Sequence, residues 1–420
     1  MIRRRLAIAG VVAAALAVAA AVVLLGQGGS SSSPGPAAST PTPGLDQAPK
    51  TRQSPPWGFV ASWQDFCYRP LPNPPHYAVE LPSTGEPCPS GSTRFSTGQQ
   101  VGLTVRAGAT TDRLGVLWDA VEPRPPVTRG GRRIHFYDWT AVMRPYRAMI
   151  SAGIRPVVLA YGAPEWARQE RSRRPGTCPA RYGKPCSYPP SRRHLPDWRA
   201  FIKALVRRLP QMLAVEVWNE PNLPRFFAPK PSPPLYSRLL RAADQAVRAT
   251  GVPLALVTGG LAAGSSRASG GTPAASFLNR IYQLSGKASF DGIGTHPYPY
   301  RPPWVGSMTS NLDQLRRVRD RYGDRGAPLW ITEVGIGGTS TQRPQASVSL
   351  ARQGPILARM YHSTQGSDVR AFLIYALRDT PTEGPKFESF GVVHGDLRPK
   401  PAYCYLASRL GDVSGCIGEP

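Results

Sequence analysis

The feature that most constrains the fold is a regular alternation of short β-prone runs with longer amphipathic stretches, from Trp57 to the C-terminus. Eight runs rich in branched apolar and aromatic residues are predicted strands: Trp57–Ala61, Arg113–Leu117, Arg155–Ala160, Ala214–Trp218, Pro253–Thr258, Gly292–Thr295, Leu329–Thr332 and Val369–Tyr375. Strands that alternate with helices are typical of parallel sheets, so eight such units predict a single (β/α)8 barrel of the α/β class.

The intervening stretches carry apolar residues at helical spacing. The clearest runs from Trp198 to Leu209, where apolar residues recur at i, i+3, i+4 and i+7. Ser232 and Pro233 predict the cap and first turn of a helix that continues to Val247. Further helices are predicted at Gln99–Ala107, Trp139–Ala152, Phe277–Leu284, Leu312–Tyr322, Val348–Ser363 and Ala402–Arg409.

The N-terminus combines three arginines with Leu6–Leu25, an apolar run of 20 residues. Signal peptides have apolar cores of about 7–15 residues and spanning helices about 20, yet Ala17-Val18-Ala19 suits a cleavage site. We predict a signal peptide or a signal anchor over 1–25, with both alternatives open. In either case the remainder is exported, and only this segment contacts the membrane. The Gly-, Ser- and Pro-rich segment 26–56 is a predicted disordered linker before a folded domain at 57–420.

The six cysteines form three couples that are local in sequence: Cys67 and Cys88, Cys178 and Cys186, Cys404 and Cys416. Six thiols allow many pairings, so a disulfide within each couple is a prediction and not a deduction. No CxxC motif occurs and the histidines are scattered, so we expect no metal site. Three disulfides would suit an extracellular or cell-surface protein.

The formal net charge is +25, from 51 basic and 26 acidic residues. Such a charge favours anionic partners, among which cell-envelope polymers are candidates. We attribute most of it to a composition in which arginine replaces lysine, because the basic residues are dispersed along the sequence. No pattern of a nucleic-acid-binding module occurs, so we expect no nucleic-acid partner.

Two strings end predicted strands in a glutamate. Val217-Trp218-Asn219-Glu220-Pro221-Asn222 ends the fourth strand, and Trp330-Ile331-Thr332-Glu333-Val334-Gly335 ends the seventh. In a (β/α)8 barrel the strand ends meet at one face, where the active sites of this fold lie. Two facing carboxylates are what cleavage of a glycosidic bond requires. A surface role is common for one such glutamate, but the pair predicts a catalytic site.

Other side chains suited to chemistry fall at the same ends of the remaining strands: Arg113 on the second, Tyr161 after the third, Asn219 on the fourth, His296 and Tyr298 at the sixth, Tyr375 at the eighth. We expect Glu216 to point into the barrel beneath Glu220 as a buried structural charge. Trp304 and four other aromatic residues in predicted loops are candidates for sugar contacts, although local packing is their more common role: Trp166, Phe226, Phe227 and Tyr300.

The motifs resemble those of clan A retaining glycoside hydrolases, above all families 39 and 5. The resemblance rests on Asn219-Glu220-Pro221, Glu333, His296-Pro297-Tyr298 and Arg113, and extends to the closing Lys400–Tyr403. It covers the chain from Trp57 onward. It implies double displacement through a glycosyl-enzyme intermediate on a (β/α)8 barrel.

By that resemblance, Glu220 is the general acid/base and Glu333 the nucleophile. Arg113 would hold a positive charge beside Glu333 and favour its carboxylate, whereas a general acid must keep its proton near neutrality. Asn219 would bond the sugar 2-hydroxyl. His296 is assigned a role by its His-Pro-Tyr context, since a lone strand-end histidine is more often structural.

In the same resemblance, Tyr298 or its histidine neighbour bonds the nucleophile or the sugar. Tyr375 stands where much of the clan has a tryptophan platform, which leaves stacking at this position open. We expect a secreted or cell-surface retaining glycoside hydrolase that acts on a poly- or oligosaccharide without a cofactor. The alternative is a non-catalytic, envelope-attached barrel that binds glycans or polyanions. Neither the sugar nor the choice between hydrolysis and transglycosylation follows from the sequence.

Overall fold

The computed structural model describes residues 54–61, 66–68, 81–82, 88, 90–168, 187–265, 270–339, 347–380, 389–414 and 416. The predicted N-terminal segment 1–25 lies outside these residues, as does 26–56 except for its last three positions. Among the described residues, no helix is both long enough and apolar enough to cross a membrane.

Eight parallel strands close into a barrel: β1 (Trp57–Val60), β2 (Thr111–Leu117), β3 (Val157–Tyr161), β4 (Ala214–Asn219), β5 (Ala255–Ala262), β6 (Ile293–His296), β7 (Leu329–Val334) and β8 (Val369–Tyr375). Neighbours in sequence are neighbours in the sheet, and β8 closes the barrel by pairing with β1. The predicted barrel is therefore confirmed. Strand β5 extends to Ala262 although Gly259 and Gly260 indicate an earlier end, because these glycines serve close approach within the barrel and not a turn.

A helix follows each strand: α1 (Thr97–Arg106), α2 (Thr140–Ser151), α3 (Leu195–Arg208), α4 (Pro233–Arg248), α5 (Ala274–Ser285), α6 (Trp304–Arg321), α7 (Leu350–His362) and α8 (Pro401–Leu410). Ser232 caps α4 by accepting a hydrogen bond from the backbone of Leu235, as predicted. Helix α6 begins at Trp304, well before the predicted Leu312. The expectation that Trp304 lies in a loop is thus wrong, because the preceding prolines start a helix there.

Smaller elements decorate this frame. Among the described residues they include a short helix at Trp118–Val121 and 3-10 turns at Glu165–Ala167, Arg192–His194 and Lys287–Ser289. Small sheets are formed by Phe66–Tyr68 with Leu81–Pro82 and Thr93–Phe95, by Val127–Arg129 with Arg132–Ile134, and by Gly337–Gly338 with Ser347–Val348.

Apolar side chains fill one layer of the barrel interior. This layer contains Val157, Ala214, Val257, Trp330, Ala371 and Leu373, all buried. The helices pack outside the strands through apolar stripes, as α3 does with the predicted Trp198, Phe201, Ile202, Leu205 and Val206. The strands also carry buried polar side chains, which form the network described below.

Two of the three predicted disulfides are present. Cys67 pairs with Cys88 in the segment inserted after β1, with their Cα atoms 5.6 Å apart. Cys404 on α8 pairs with Cys416, at a Cα separation of 5.2 Å. The third predicted couple, Cys178 and Cys186, lies outside the described residues.

Candidate active site

Glu220 and Glu333 face each other at the carboxyl ends of β4 and β7. Their side chains retain 12% and 13% exposure to solvent. One carboxylate oxygen of each and a ring nitrogen of His296 all lie within 4.8 Å of one another. The barrel thus brings together the two glutamates that the sequence places more than a hundred residues apart.

Glu333 is held by two donors. The Arg113 guanidinium pairs with Oε1, and the Tyr298 hydroxyl donates to Oε2 across 3.1 Å. Burial raises the pKa of Glu333, while His296 and Arg113 act in the opposite direction. The expected effect of Arg113 therefore has the right sign, but burial outweighs it in the protein without substrate.

The buried His296 ring connects the catalytic pair to the barrel interior. Its Nδ1 lies 2.9 Å from Oε1 of Glu220 and 3.5 Å from Oε2 of Glu333. Its Nε2 lies 3.1 Å from the Thr332 hydroxyl, which itself donates to Glu216 across 2.8 Å. Because the Thr332 hydrogen is used there, its oxygen accepts from Nε2, and Nε2 must carry a hydrogen.

Glu216 anchors this network from beneath. It is fully buried, as expected, and its Oε2 accepts from Nε of Arg113 at 2.7 Å. Its Oε1 accepts from the Thr332 hydroxyl and from the backbone nitrogen of Gly260, each at 2.8 Å. Burial alone would lower the pKa of Arg113, but Glu216 and Glu333 more than offset this and raise it.

Asn219 is oriented by the same arginine. Its Oδ1 accepts from Nη2 of Arg113 at 2.9 Å, which leaves its amide nitrogen as the group available to a ligand in the cleft that Asn219 lines. The chain around it has unusual backbone angles, with φ of 74° at Trp218 and 40° at Glu220. A positive φ is uncommon for residues other than glycine and is found most often at functional sites. The backbone at the end of β4 is therefore strained in the conformation that positions Glu220.

Gly260 on β5 is a feature of the site that sequence reasoning missed. A Cβ built there would lie 2.1 Å from Nε2 of His296 and 2.8 Å from Oγ1 of Thr332. Any side chain would therefore displace the network. The sequence contained a signal for this role. A Gly259-Gly260 pair inside an apolar run indicates a strand position where another group lies close to the backbone.

A cleft of about 340 Å³ opens beside Glu333. Tyr161, Asn219, Glu333 and Tyr375 line it, together with Arg113. These five residues were predicted from the sequence to converge, and the barrel brings them together.

The aromatic candidates differ in position. Tyr375 packs with Tyr298 and Phe390 in a small cluster, and the Tyr300 ring lies 6.4 Å from that of Tyr298. Trp304 is half-buried and packs against the core between strands and helices. Phe227 is fully buried, so packing accounts for it.

The remaining candidates contact the protein itself. Trp166 donates its indole nitrogen to the backbone oxygen of Glu122, and the Arg225 guanidinium lies over the Phe226 ring. Glu220, His296 and Glu333 also form a group of potential metal ligands within the described residues. The Arg113 guanidinium already supplies positive charge to that group through Glu333.

No family model and no curated protein matches the chain in sequence. In fold it is similar to a family 39 glycoside hydrolase from Bacteroides cellulosilyticus WH2, with a TM-score of 0.54, 20% identity, and coverage of 75% of this chain and 60% of that one. It is similarly related to a monomeric β-xylosidase from Caulobacter crescentus CB15, with a TM-score of 0.54, 21% identity, and coverage of 74% and 63%.

A glucosidase from Croceicoccus marinus gives a TM-score of 0.55 at 14% identity, with coverage of 78% of this chain and 65% of that one. The family 39 hydrolase and the β-xylosidase are matched over only 60% and 63% of their own length, so this chain spans less than two thirds of either. The likeness shows that this chain shares a (β/α)8 barrel fold with these glycosidase structures.

Proposed function

We propose that the chain is an exported retaining glycoside hydrolase that cleaves a poly- or oligosaccharide by double displacement. The observation that carries this proposal is the facing pair of Glu220 and Glu333. One carboxylate oxygen of Glu220 lies within 4.8 Å of one carboxylate oxygen of Glu333. Retaining enzymes hold their carboxyl groups about 5–5.5 Å apart, whereas inverting enzymes need about 6.5–9.5 Å to admit a water molecule. An approach of two carboxylate oxygens to within 4.8 Å is closer to the retaining arrangement than to the inverting one.

In the first step, Glu333 attacks the anomeric carbon and Glu220 protonates the leaving oxygen. Arg113 and Tyr298 hold the attacking carboxylate in place through both of its oxygens. Nδ1 of His296 lies 2.9 Å from Oε1 of Glu220. With a hydrogen on Nε2, the neutral form of the ring has its lone pair at Nδ1, where it accepts a hydrogen bond from protonated Glu220 in this proposal.

In the second step, Glu220 removes a proton from water, which attacks the glycosyl-enzyme and restores Glu333. Loss of the negative charge on Glu333 in the intermediate removes the repulsion between the two carboxylates, so Glu220 can ionise and act as base. Arg113 bonds the amide oxygen of Asn219 and not its amide nitrogen. In this proposal the amide nitrogen donates to the sugar 2-hydroxyl.

Export is part of the proposal. It is supported by the apolar run Leu6–Leu25 after three arginines and by two disulfides that suit an oxidising compartment. A signal peptide and a retained anchor both satisfy it.

The test is a panel of aryl glycosides and polysaccharides, beginning with β-xylosides and β-glucosides because two similar structures are a β-xylosidase and a glucosidase. Glu220→Gln and Glu333→Gln should each abolish turnover of the preferred substrate while the thermal transition remains cooperative. Normal turnover by Glu333→Gln would refute the proposal. Saturable glycan binding without turnover in the unaltered protein would favour the alternative, a non-catalytic glycan- or polyanion-binding barrel.

A further inference from the structure

The basic residues that look dispersed in the sequence cluster on the outer side of three consecutive helices. Helices α2, α3 and α4 carry nine basic residues: Arg144, Arg147, Arg199, Lys203, Arg207, Arg208, Arg238, Arg241 and Arg248. They carry only two acidic residues, and both have cationic partners. Asp197 is buried and pairs with Arg133, while Asp244 pairs with Arg248. We call the eight basic residues other than Arg248 the basic face.

Two grooves run along the basic face on either side of α3. The first has a volume of about 700 Å³ and is lined by Tyr137, Trp139, Arg144, Arg147 and Arg208, among others. The second has a volume of about 640 Å³ and is lined by Arg199, Lys203, Arg238 and Arg241 along with apolar residues. Since α3 contributes to both, the grooves form one charged surface.

At least four of the eight cations of the basic face lack an anionic partner among the described residues. Within the described part of the chain, no ion pair involves Arg147, Arg199, Lys203 or Arg208. The grooves thus present guanidinium and ammonium groups with which an oxygen-rich anionic ligand can pair.

The first groove borders the catalytic cleft. Asp138, directly before α2, lines both the groove and the cleft that contains Glu333. A chain-like ligand that leaves the cleft past Asp138 therefore enters the groove and meets Arg144 and Arg147. Half-buried Tyr137 and Trp139 lie at this entrance and offer aromatic surface to sugar rings.

We propose that the basic face binds an anionic polysaccharide whose carboxylates pair with its guanidinium groups and whose chain continues into the catalytic cleft. Guanidinium groups bind carboxylates through paired hydrogen bonds, which suits a polymer with a charge on each sugar. That the partner is a sugar polymer rests on the proposed function; that it is anionic rests on the surface alone. Continuity with the cleft favours a polysaccharide over a nucleic acid.

The test is binding of polygalacturonate by calorimetry at low and high NaCl, in a Glu333→Gln background that removes turnover. The face variant combines Arg147→Glu, Arg208→Glu, Arg199→Glu and Lys203→Glu. We expect its affinity to fall by about tenfold or more, because exposed ion pairs contribute about 0.2–1 kcal/mol each. The salt dependence of binding should weaken as well. If charge reversal impairs folding, Gln at the same four positions replaces Glu.

The matched control carries the same change of charge on the opposite helices α6 and α7, as Arg317→Glu, Arg321→Glu, Arg352→Glu and Arg359→Glu. We expect it to keep its affinity within about twofold, because screening limits exposed charges to about 10 Å. Equal losses in both variants would overturn the proposal, since binding would then follow net charge. Tighter binding of duplex DNA than of polygalacturonate through the same four residues would overturn the assigned partner. Binding of polygalacturonate by an unaltered enzyme that turns over no glycoside of the panel would instead sink the proposed function and leave the anionic binding surface standing.

Discussion

The Thr332 hydroxyl on β7 donates a hydrogen bond of 2.8 Å to Oε1 of Glu216 on β4. Glu216 is fixed by Arg113 and by the backbone of Gly260, so it cannot release this hydrogen bond without leaving a buried carboxylate less satisfied. The Thr332 oxygen therefore accepts from Nε2 of His296, so this nitrogen carries a hydrogen. In the neutral form of the ring, Nδ1 then has the lone pair that faces Glu220.

Removal of the Thr332 hydroxyl should disturb the acid through this relay. In Thr332→Val, nothing requires a hydrogen on Nε2 of His296, so Nδ1 can carry it and donate to ionised Glu220. We expect kcat/KM to fall by about tenfold or more, in the lower range of general acid catalysis. The loss should be larger for substrates with poor leaving groups, because these depend most on proton donation by Glu220.

Thr332→Ser is the matched control, because it keeps the hydroxyl and loses only a methyl group. It should retain most of the kcat/KM of the unaltered enzyme with good and poor leaving groups. A Val variant impaired equally on both kinds of substrate, or a Ser variant as impaired as Val, would show that Thr332 acts only by packing.

Tyr298→Phe should shift the acidic limb of the pH profile of kcat/KM. Burial raises the pKa of Glu333, so the acidic limb of kcat/KM should lie above the ordinary glutamate value of about 4.3. The Tyr298 hydroxyl stabilises the carboxylate through its 3.1 Å hydrogen bond, and its loss should move this limb further up in pH. Tyr146→Phe, which removes a hydroxyl bonded to the backbone of Gln211 on the outer side of the barrel, should leave the limb in place. An acidic limb at or below 4.3 in the unaltered enzyme would contradict the described environment of Glu333.

The barrel was predictable because its strands and helices carry strong local patterns. The apolar spacing of α3 and the Ser232-Pro233 start of α4 both agree with the structure. Glu220 and Glu333 could be placed together because strand ends converge in a closed barrel. Nothing beyond strand position and residue type was needed for that step.

The network beneath the glutamates could not be predicted in the same way. Thr332 looks like an ordinary strand residue, and its role depends on three strands that lie at a set spacing in the closed barrel. The same holds for Gly260, whose missing side chain admits His296. The basic face was also missed, because charges that are far apart in sequence became neighbours only when α2, α3 and α4 packed side by side.

Asp112 should make the stability of the barrel depend on pH. Its side chain is fully buried, and burial raises its pKa well above the usual range although the Phe59 amide and the Thr104 hydroxyl lower it. A raised carboxyl pKa means that stability is greatest below the ordinary aspartate range and is lost as pH rises toward the folded-state pKa. Asp112→Asn should therefore raise Tm at pH 7 relative to the unaltered protein, by the equivalent of about 1–3 kcal/mol, and do so less at pH 4.

Asp368→Asn should change stability with the opposite dependence on pH. Burial alone would raise the pKa of Asp368, but Arg316 and Arg319 more than offset this and lower it. Its contribution is present above the ordinary aspartate range and is lost as pH falls, so the Asn variant should lose more stability at pH 7 than at pH 4. If the change in Tm depended on pH in the same way in Asp112→Asn and Asp368→Asn, the raised pKa of Asp112 would be contradicted.

The most direct test of the central claim is to trap the glycosyl-enzyme. The enzyme would be incubated with the activated 2-deoxy-2-fluoro derivative of its preferred glycoside and then analysed by intact-protein and peptide mass spectrometry. The account predicts one sugar added per protein, attached to the peptide that contains Glu333, and no adduct on Glu333→Gln. An adduct on Glu220, or turnover of the preferred glycoside with inversion of the anomeric configuration, would contradict it.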